Sequence, residues 1–279
     1  MDFSLILFLL VCATGAIWAL DRWAWSGARS RGQTGRDGAT ADGGASAGEP
    51  AKEPLIVEYA RAFFPVILIV FVLRSFIVEP FRIPSGSMLP SLHIGDFILV
   101  SKFSYGIRLP VVNKKVINTD EPKRGDVVVF RFPRDESINY IKRVIGLPGD
   151  HIVYEGKRLY VNGELISETA APLSNAPGDG ETAYDATRYT ERLGGVEHDI
   201  WLSRRSDYGT TYDKVVPPGH YFVMGDNRDH SNDSRYWGFV PEENLVGKAF
   251  LIWFSWDGRD DRPWFWQRIA FDRIGNIIR

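Results

Sequence analysis

The chain has 279 residues, enough for one large domain or two modest ones with a substantial interior. Its formal net charge of -2 at pH 7 argues against nucleic acid as the main partner. The single cysteine, Cys12, excludes an intrachain disulfide and a cysteine metal site. The five histidines lack the spacing of a metal motif, so we expect no metal and no cofactor.

The first apolar segment, residues 3–20, carries no charge. A helix of that length rises roughly 27 Å, close to the hydrocarbon thickness of about 30 Å. A cleavable signal peptide is the competing interpretation, but no basic residue precedes the segment. Trp18 and Trp23 are placed as interfacial anchors. We therefore predict a first transmembrane helix over residues 1–20.

Residues 21–58 are rich in glycine, alanine, serine and charge, which predicts a flexible loop without a core. The loop carries several basic residues, among them Arg22, Arg29 and Arg31, whereas the N-terminal flank carries none. By the positive-inside rule, the loop is cytoplasmic and the N-terminus lies outside.

A second apolar segment predicts another transmembrane helix over residues 59–79. Arg74 interrupts it near one end, where an arginine side chain can reach the interface. The alternative is a buried or interfacial helix of a soluble domain. Two spans would place everything after about residue 80 outside the cytoplasm.

From residue 97 onward, short β-type runs alternate with turns, so we predict a mostly β outer part. The runs comprise residues 97–103, 126–132, 138–145, 151–155, 158–161, 220–225 and 245–254. Asn162-Gly163 is a hairpin signal. Residues 167–212 are polar, and we expect an inserted, more variable lobe with only weak strands there. The aromatic and basic tail from Pro263 either packs on the core or dips into the headgroup region.

A serine-containing turn, Pro84-Ser85-Gly86-Ser87-Met88, follows the second apolar segment. Pro84 fixes its own φ, and Gly86 tolerates backbone angles closed to other residues. The turn can present the Ser87 hydroxyl, with Ser85 as a second donor. The plainer interpretation is a polar turn without function.

Lys142 lies in the strand predicted over residues 138–145, on a face otherwise suited to burial. A buried lysine usually extends to solvent or finds a carboxylate. Desolvation also lowers its pKa, however, and a value near 7 to 8 would suit a general base. The sequence therefore supplies a candidate base for a serine nucleophile.

The polar stretch 225–241 contains Asp226, Asp229 and Asp233 at close spacing. A calcium loop is one interpretation, but the EF-hand spacing is absent and Arg228 and Arg235 would oppose a cation. A loop locked by internal ion pairs and hydrogen bonds is the better prediction.

Four stretches together resemble, in order, the motifs of bacterial type I signal peptidases (leader peptidases) of the two-span form. They are residues 84–92, 124–130, 140–150 and 225–238. The resemblance implies a serine endopeptidase that removes signal peptides from exported preproteins after small residues, at an Ala-x-Ala type site, with a Ser-Lys dyad. It also implies a membrane-anchored antiparallel β catalytic domain with an inserted smaller β lobe, preceded by two transmembrane helices.

The resemblance assigns roles to individual residues. Ser87 matches the nucleophile and Lys142 the general base. The Ser87 N–H and the Ser85 hydroxyl would form the oxyanion hole, and Ser231 would orient the lysine. Two pairs would brace the site, Arg143 with Asp226 and Arg235 with Asp233. Shallow pockets for small substrate residues would be lined by Phe81, Ile83, Pro84, Met88, Leu92, Ile98, Val129, Asn139, Tyr140 and Ile141. The substrate would bind extended, along a strand edge.

On this basis we divide the outer part into a catalytic β domain, residues 80–153 and 213–279, and an inserted β lobe, residues 154–212. We expect a multi-pass protein of the bacterial plasma (inner) membrane, with its N-terminus and catalytic domain on the periplasmic side. The expected partners are preprotein signal peptides, the lipid bilayer and, by proximity, the secretion translocon.

The chain departs from the family pattern at a few points. The lobe carries no disulfide, Asn139 stands where aspartate is frequent, and His230 stands where asparagine is common. One rival function is a Ser-His-Asp hydrolase with His93 as the base, although no nucleophile elbow is present. The other is a non-catalytic membrane-anchored binding protein, whose mark would be a lost Ser87 or Lys142.

Overall fold

The computed structural model describes residues 3–25, 54–110, 112, 114–171, 185–204, 210–257 and 264–279. The chain divides into two compact units. The first unit comprises Met1–Phe76 with Pro110–Val112, and the second comprises Ile77–Leu109 with Asn113–Arg279. Most of the predicted cytoplasmic loop, residues 26–53, lies outside the described residues.

Two long apolar helices dominate the first unit, α1 over Phe3–Leu20 and α2 over Leu55–Val72. A wider turn of π-helix continues each of them, over Asp21–Trp25 and Leu73–Ile77. Both helices are long and apolar enough to cross a membrane. Only 11% and 17% of the residues in the two apolar windows are buried, so neither helix has the burial of a soluble core helix.

The second helix begins at Leu55, before the predicted boundary at residue 59. The backbone N–H groups of Val57 and Glu58 donate to the carbonyl of Pro54, which closes the first turn. Glu58 lies in that turn, where the helix dipole favours a negative charge. The helix thus extends four residues further toward the N-terminus than the predicted span, and the bounds of the span itself stay a prediction.

Helices α1 and α2 pack through small and aromatic residues. The Trp18 and Phe64 rings lie 5.4 Å apart between centroids, and the Phe8 and Phe71 rings 6.1 Å. A Cβ added at Gly15 would lie 2.8 Å from Phe64, so glycine permits this close approach.

The second unit is built from sixteen strands among its described residues. In chain order they are β1 Val78–Arg82, β2 Asp96–Ser101, β3 Ile107–Arg108, β4 Lys115–Ile117, β5 Val127–Phe132, β6 Asp135–Gly146, β7 His151–Glu155, β8 Arg158–Val161, β9 Glu164–Leu165, β10 Glu168–Ala170, β11 Ala186–Leu193, β12 Val196–Ser203, β13 Tyr212–Val215, β14 His220–Met224, β15 Val240–Pro241 and β16 Leu245–Ser255. A short helix, α3, spans Ser234–Trp237.

The main sheet has seven antiparallel strands in the order β1-β2-β16-β5-β6-β14-β15. A four-stranded sheet (β13-β7-β8-β9), a three-stranded sheet (β10-β11-β12) and the β3–β4 hairpin complete the unit. The predicted mostly β, antiparallel fold behind two apolar helices is confirmed. The division into catalytic domain and inserted lobe stays a prediction.

Two glycine-containing turns join adjacent strands; the first was predicted from the sequence and the second was not. Asn162 and Gly163 both have positive φ, as the predicted hairpin turn requires. Gly194 and Gly195 likewise have positive φ and join β11 to β12, eight residues each. The expectation of weak strands was wrong here, because charged cross-strand pairs such as Arg188 with Asp199 obscure the apolar alternation.

The main core of the sheet packs against the turn that carries Ser87. Its buried members are Ile83, Met88, Leu92, Ile98, Val100, Val127, Val129, Ala249, Ile252 and Ile278. Met88 and Leu92 are fully buried, and each such side chain contributes about 1.5–3 kcal/mol relative to exposure. The chain on the C-terminal side of Ser87 is thus anchored in the core.

The end of the tail packs on the core, which is one of the two predicted alternatives, while contact with the headgroup region stays a prediction. Ile278 is buried in the main core, and Arg273 forms an ion pair with Asp96, at 2.5 Å. Trp264, Phe265 and Phe271 remain more than half exposed. The end of the tail therefore packs on the sheet, while its aromatic side chains face outward.

Candidate active site

Ser87 lies in a single turn of 3-10 helix, Gly86–Met88, that follows the extended residue Ser85. The Leu89 N–H donates to the Gly86 carbonyl and closes the turn. Ser87 is half-buried, and its Oγ lies 3.4 Å from the Ser85 Oγ. The turn therefore presents two hydroxyl groups side by side.

Lys142 reaches this turn from strand β6. Its Nζ lies 2.7 Å from Ser87 Oγ and 2.9 Å from the Ile141 carbonyl oxygen. The lysine is 4% exposed, and its Nζ also lies 5.5 Å from the centroid of the Tyr140 ring. Strand β6 thus delivers a buried amine directly to the serine hydroxyl.

Burial lowers the pKa of Lys142 from its ordinary value of 10.5 to about 8. The cause is the lost hydration of the ammonium form, which the carboxylates of Asp233 and Asp226 offset only in part. A substantial fraction of the amine is therefore neutral near pH 8, which a general base for the Ser87 proton requires.

Arg143, the next residue of β6, enters a fully buried ion pair. Its Nε and Nη2 donate to the two carboxylate oxygens of Asp226 at 2.8 and 2.7 Å. Burial alone would raise the pKa of Asp226, but the guanidinium beside it holds that pKa below its usual range. Ser91 also donates to Asp226, at 2.5 Å, so the pair fastens the chain just beyond the serine turn.

Every aspartate of the stretch 225–241 has a cationic partner. Besides the Asp226 pair, Asp229 accepts from Lys157 at 3.0 Å. Asp233 accepts from Arg235 at 2.8 Å and caps α3. The predicted locking by ion pairs is therefore correct in part, because only the Asp233–Arg235 pair lies within the stretch, whereas Asp226 and Asp229 pair with residues outside it.

Ser231 lies next to the dyad but is not joined to it by a hydrogen bond in the part of the chain that the structure describes. Its buried hydroxyl has no hydrogen-bond partner there. Gly225 packs tightly between this hydroxyl and the Ser87 carbonyl, where an added Cβ would clash with both. The lysine-orienting role of Ser231 stays a prediction.

The residues predicted to line substrate pockets fall into two groups. Pro84 and Asn139 are exposed, while Phe81, Tyr140 and Ile141 are half-buried. The other five are at most 2% exposed and belong to the main core, namely Ile83, Met88, Leu92, Ile98 and Val129. Five of the ten predicted pocket residues are therefore core side chains with almost no exposed surface.

The structure also places residues at the site that the sequence did not disclose. Asn227 is 1% exposed and contacts the serine turn directly. Behind it, Arg228 pairs with Glu191, at 2.5 Å, and His198 Nε2 lies 3.1 Å from the same carboxylate. Burial alone would raise the pKa of Glu191, but the Arg228 guanidinium beside it lowers that pKa to about 2. Only the adjacency of Asn227 and Arg228 to Asp226 could have signalled them.

A serine hydroxyl in contact with a buried base is the arrangement of serine hydrolases. The family model for signal peptidase, peptidase S26, matches residues 56–256. The chain is 51% identical to the signal peptidase I of Pseudomonas fluorescens and 50% identical to that of Pseudomonas aeruginosa, with 99% of both chains covered in each case. A crystal structure of a signal peptidase I from Enterococcus faecalis is 28% identical and covers 47% of this chain and 98% of its own, with a TM-score of 0.32.

The chain therefore belongs to the signal peptidase family, peptidase S26, and it is a serine protease. Together with its two apolar helices, this membership makes it a membrane-anchored enzyme. The resemblance deduced from the four sequence motifs is confirmed.

Proposed function

We propose that the protein removes N-terminal signal peptides from exported preproteins with a Ser87-Lys142 dyad. The observation that carries the proposal is the distance of 2.7 Å between Lys142 Nζ and Ser87 Oγ at a buried position. The relatives named above are signal peptidases, which supports the substrate class.

The neutral amine of Lys142 takes the proton of Ser87 as Oγ attacks the carbonyl carbon of the scissile peptide bond. The resulting ammonium returns the proton to the leaving amine, and the C–N bond breaks. Lys142 then takes a proton from water as the water oxygen attacks the acyl carbonyl carbon, and the ammonium returns that proton to Ser87 Oγ as the C–Oγ bond breaks. The lowered pKa of Lys142 supports both half-reactions, because the amine must change protonation state near neutral pH.

The tetrahedral oxyanion would accept hydrogen bonds from the Ser87 N–H and the Ser85 hydroxyl. Loss of one such donor typically lowers the rate about 100- to 1,000-fold. Ser85 is exposed beside Ser87 Oγ, which suits a hydroxyl that turns toward an arriving carbonyl. We assign to Ser231 the orientation of Lys142, and to the Arg143 and Arg235 pairs the bracing of the site.

The substrate would bind extended along a strand edge near Ser87. Among the described residues, strand β1 pairs on one side only, with β2. Residues 139–142 of β6 pair with β5, whereas the β6 residues that pair with β14 in the described structure lie within 143–146. The burial of five of the predicted pocket residues in the core supports pockets that would accept small side chains before the cut, as in an Ala-x-Ala site.

For the membrane arrangement we keep the sequence-based proposal. The second unit lies on the periplasmic side of the bacterial inner membrane, and residues 21–58 lie in the cytoplasm. The catalytic unit would then meet preproteins as they leave the translocon, beside the lipid bilayer.

The test is cleavage of a preprotein with an Ala-x-Ala site in detergent micelles. We expect cleavage by the wild type and none by Ser87→Ala or Lys142→Ala, with folding intact. His93→Ala should keep its activity, whereas a Ser-His-Asp triad would lose nearly all of it. Cleavage by either dyad variant would remove that residue from the mechanism, and no cleavage by the wild type would contradict the proposed substrate.

A further inference from the structure

Asn227 contacts both peptide groups that flank the Ser87 Cα. Its side-chain Nδ2 donates to the Gly86 carbonyl oxygen at 3.1 Å. Its backbone N–H donates to the Ser87 carbonyl oxygen, also at 3.1 Å. One buried residue thus holds the serine turn at two successive carbonyls.

The first of these contacts bears on the oxyanion hole. The Gly86 carbonyl and the Ser87 N–H belong to the same planar, trans peptide group, so they point in opposite directions. A donor fixed on the carbonyl oxygen therefore fixes the direction of the N–H on the other side. An amide that accepts a hydrogen bond is also polarised into a stronger donor.

The second donor on the Gly86 carbonyl is the Leu89 N–H, at 3.2 Å, from within the turn. That bond closes the turn but moves with it. Asn227 comes from a different part of the chain and so fixes the turn relative to the rest of the site.

Asn227 itself stands on a rigid support. Its two neighbours in the chain are both buried in ion pairs, Asp226 with Arg143 and Arg228 with Glu191. It also forms a parallel β-bridge with Trp201, a fully buried residue of β12 whose N–H donates to the Asp226 carbonyl. Because buried ion pairs and packing hold Asn227 on both sides, it can hold the serine turn in a well-defined position.

We propose that Asn227 is a positioning residue, whose side-chain amide holds the Ser87 N–H in the direction needed to bind the oxyanion. This inference rests on the proposed function, because it assigns a part to Asn227 in that same reaction. The same contacts make the β11–β12 hairpin a support of the active site.

The test compares Asn227→Ala with Asn232→Ala, a change of an exposed asparagine in the same loop. Asn227→Ala removes the side-chain donor and keeps the backbone donor. We expect its kcat to fall about tenfold to 100-fold, less than for loss of an oxyanion donor, with KM within about twofold of wild type. Asn232→Ala should match the wild type in both.

Two inhibitors separate positioning from a structural effect. A peptide ending in an alanine aldehyde forms a tetrahedral hemiacetal, as Ser87 Oγ bonds to the carbonyl carbon and its proton passes to Lys142. The matching peptide alcohol cannot form this bond and reports ground-state binding. Asn227→Ala should lose aldehyde affinity by the same factor as kcat/KM and keep its affinity for the alcohol.

Several results would overturn the inference. They are an unchanged kcat, an equal loss of affinity for both inhibitors, or a displaced pH–rate limb, which would mean that Asn227 acts through Lys142. Should Asn227→Ala fail to fold, Asn227→Ser undergoes the same comparison. Failure of the proposed function is a different outcome, seen as no cleavage by wild type or as cleavage by Ser87→Ala.

Discussion

Two neighbouring basic residues on opposite faces of strand β6, Lys142 and Arg143, are both buried, but only Arg143 forms an ion pair with a carboxylate in the described part of the chain. Arg143 lies in a two-point ion pair with Asp226, fully removed from water. Lys142 is almost as deeply buried, yet no carboxylate in the described part of the chain forms an ion pair with its Nζ. Arg143, buried with a counter-ion, forms a fixed ion pair. Lys142, buried without one, has a lowered pKa and loses its proton near pH 8.

The largest expected effect on stability comes from breaking the Arg143–Asp226 ion pair. Arg143→Met leaves Asp226 buried without its counter-ion, which should lower the free energy of unfolding by about 3–5 kcal/mol. Chemical denaturation of the full chain in detergent micelles measures this change. The double variant Arg143→Met with Asp226→Leu should recover part of the loss, and a double variant as unstable as the single one would contradict the explanation.

Replacement of Lys142, which has no ion-pair partner among the described residues, should change the free energy of unfolding in the opposite direction. The fall in the pKa of Lys142 from 10.5 to about 8 corresponds to about 3 kcal/mol of unfavourable burial for the charged form. Lys142→Met should therefore raise the free energy of unfolding at pH 7 by up to that amount, while abolishing activity.

The sign of the pH dependence of this effect is fixed. Between about pH 8 and 10.5 the unfolded chain binds a proton at Lys142 that the folded chain does not, so wild-type stability rises with pH. The advantage of Lys142→Met should shrink over this window and be gone above it. Lys114→Met, a change of an exposed lysine, should show neither effect.

Enzyme activity should report the same titration. Because only the neutral amine accepts the Ser87 proton, kcat/KM should rise about tenfold per pH unit below about pH 8 and level off above it. A pH–rate profile on a preprotein substrate measures this limb. Activity that is independent of pH from 6 to 9 would contradict Lys142 as the base.

The smallest expected effect is a shift in the pKa of Lys142, caused by a carboxylate that forms no ion pair with it. The carboxylate of Asp233 is the largest charge effect that raises the pKa of Lys142. Asp233→Asn removes it and should move the pH–rate limb to lower pH, by less than about one unit. Asp213→Asn, an exposed change in β13, should leave the limb in place, and a shift to higher pH in Asp233→Asn would refute the assignment.

The sequence predicted the strand that carries Lys142 and Arg143, because its apolar residues recur with a period of two. It also predicted that the aspartates after residue 225 would be paired. It did not predict Asn227, which reaches a carbonyl 141 residues away in the chain. The local periodicity of apolar residues does not indicate which residues far apart in the chain come into contact. The β11–β12 hairpin was missed for another reason. Its strands carry charged residues whose partners lie across the hairpin, as for Arg188 with Asp199, or elsewhere in the chain, as for Glu191 with Arg228.

The direct passage from helix α2 into strand β1 limits the reach of the enzyme. Ser87 is ten residues beyond Ile77, where the turn of π-helix that continues α2 ends. A fully extended chain of that length covers at most about 36 Å, so the nucleophile can never stand further than this from the end of the span. In the proposed membrane arrangement, a scissile bond held further than this from the bilayer would lie out of reach of Ser87, however well its residues suit the site.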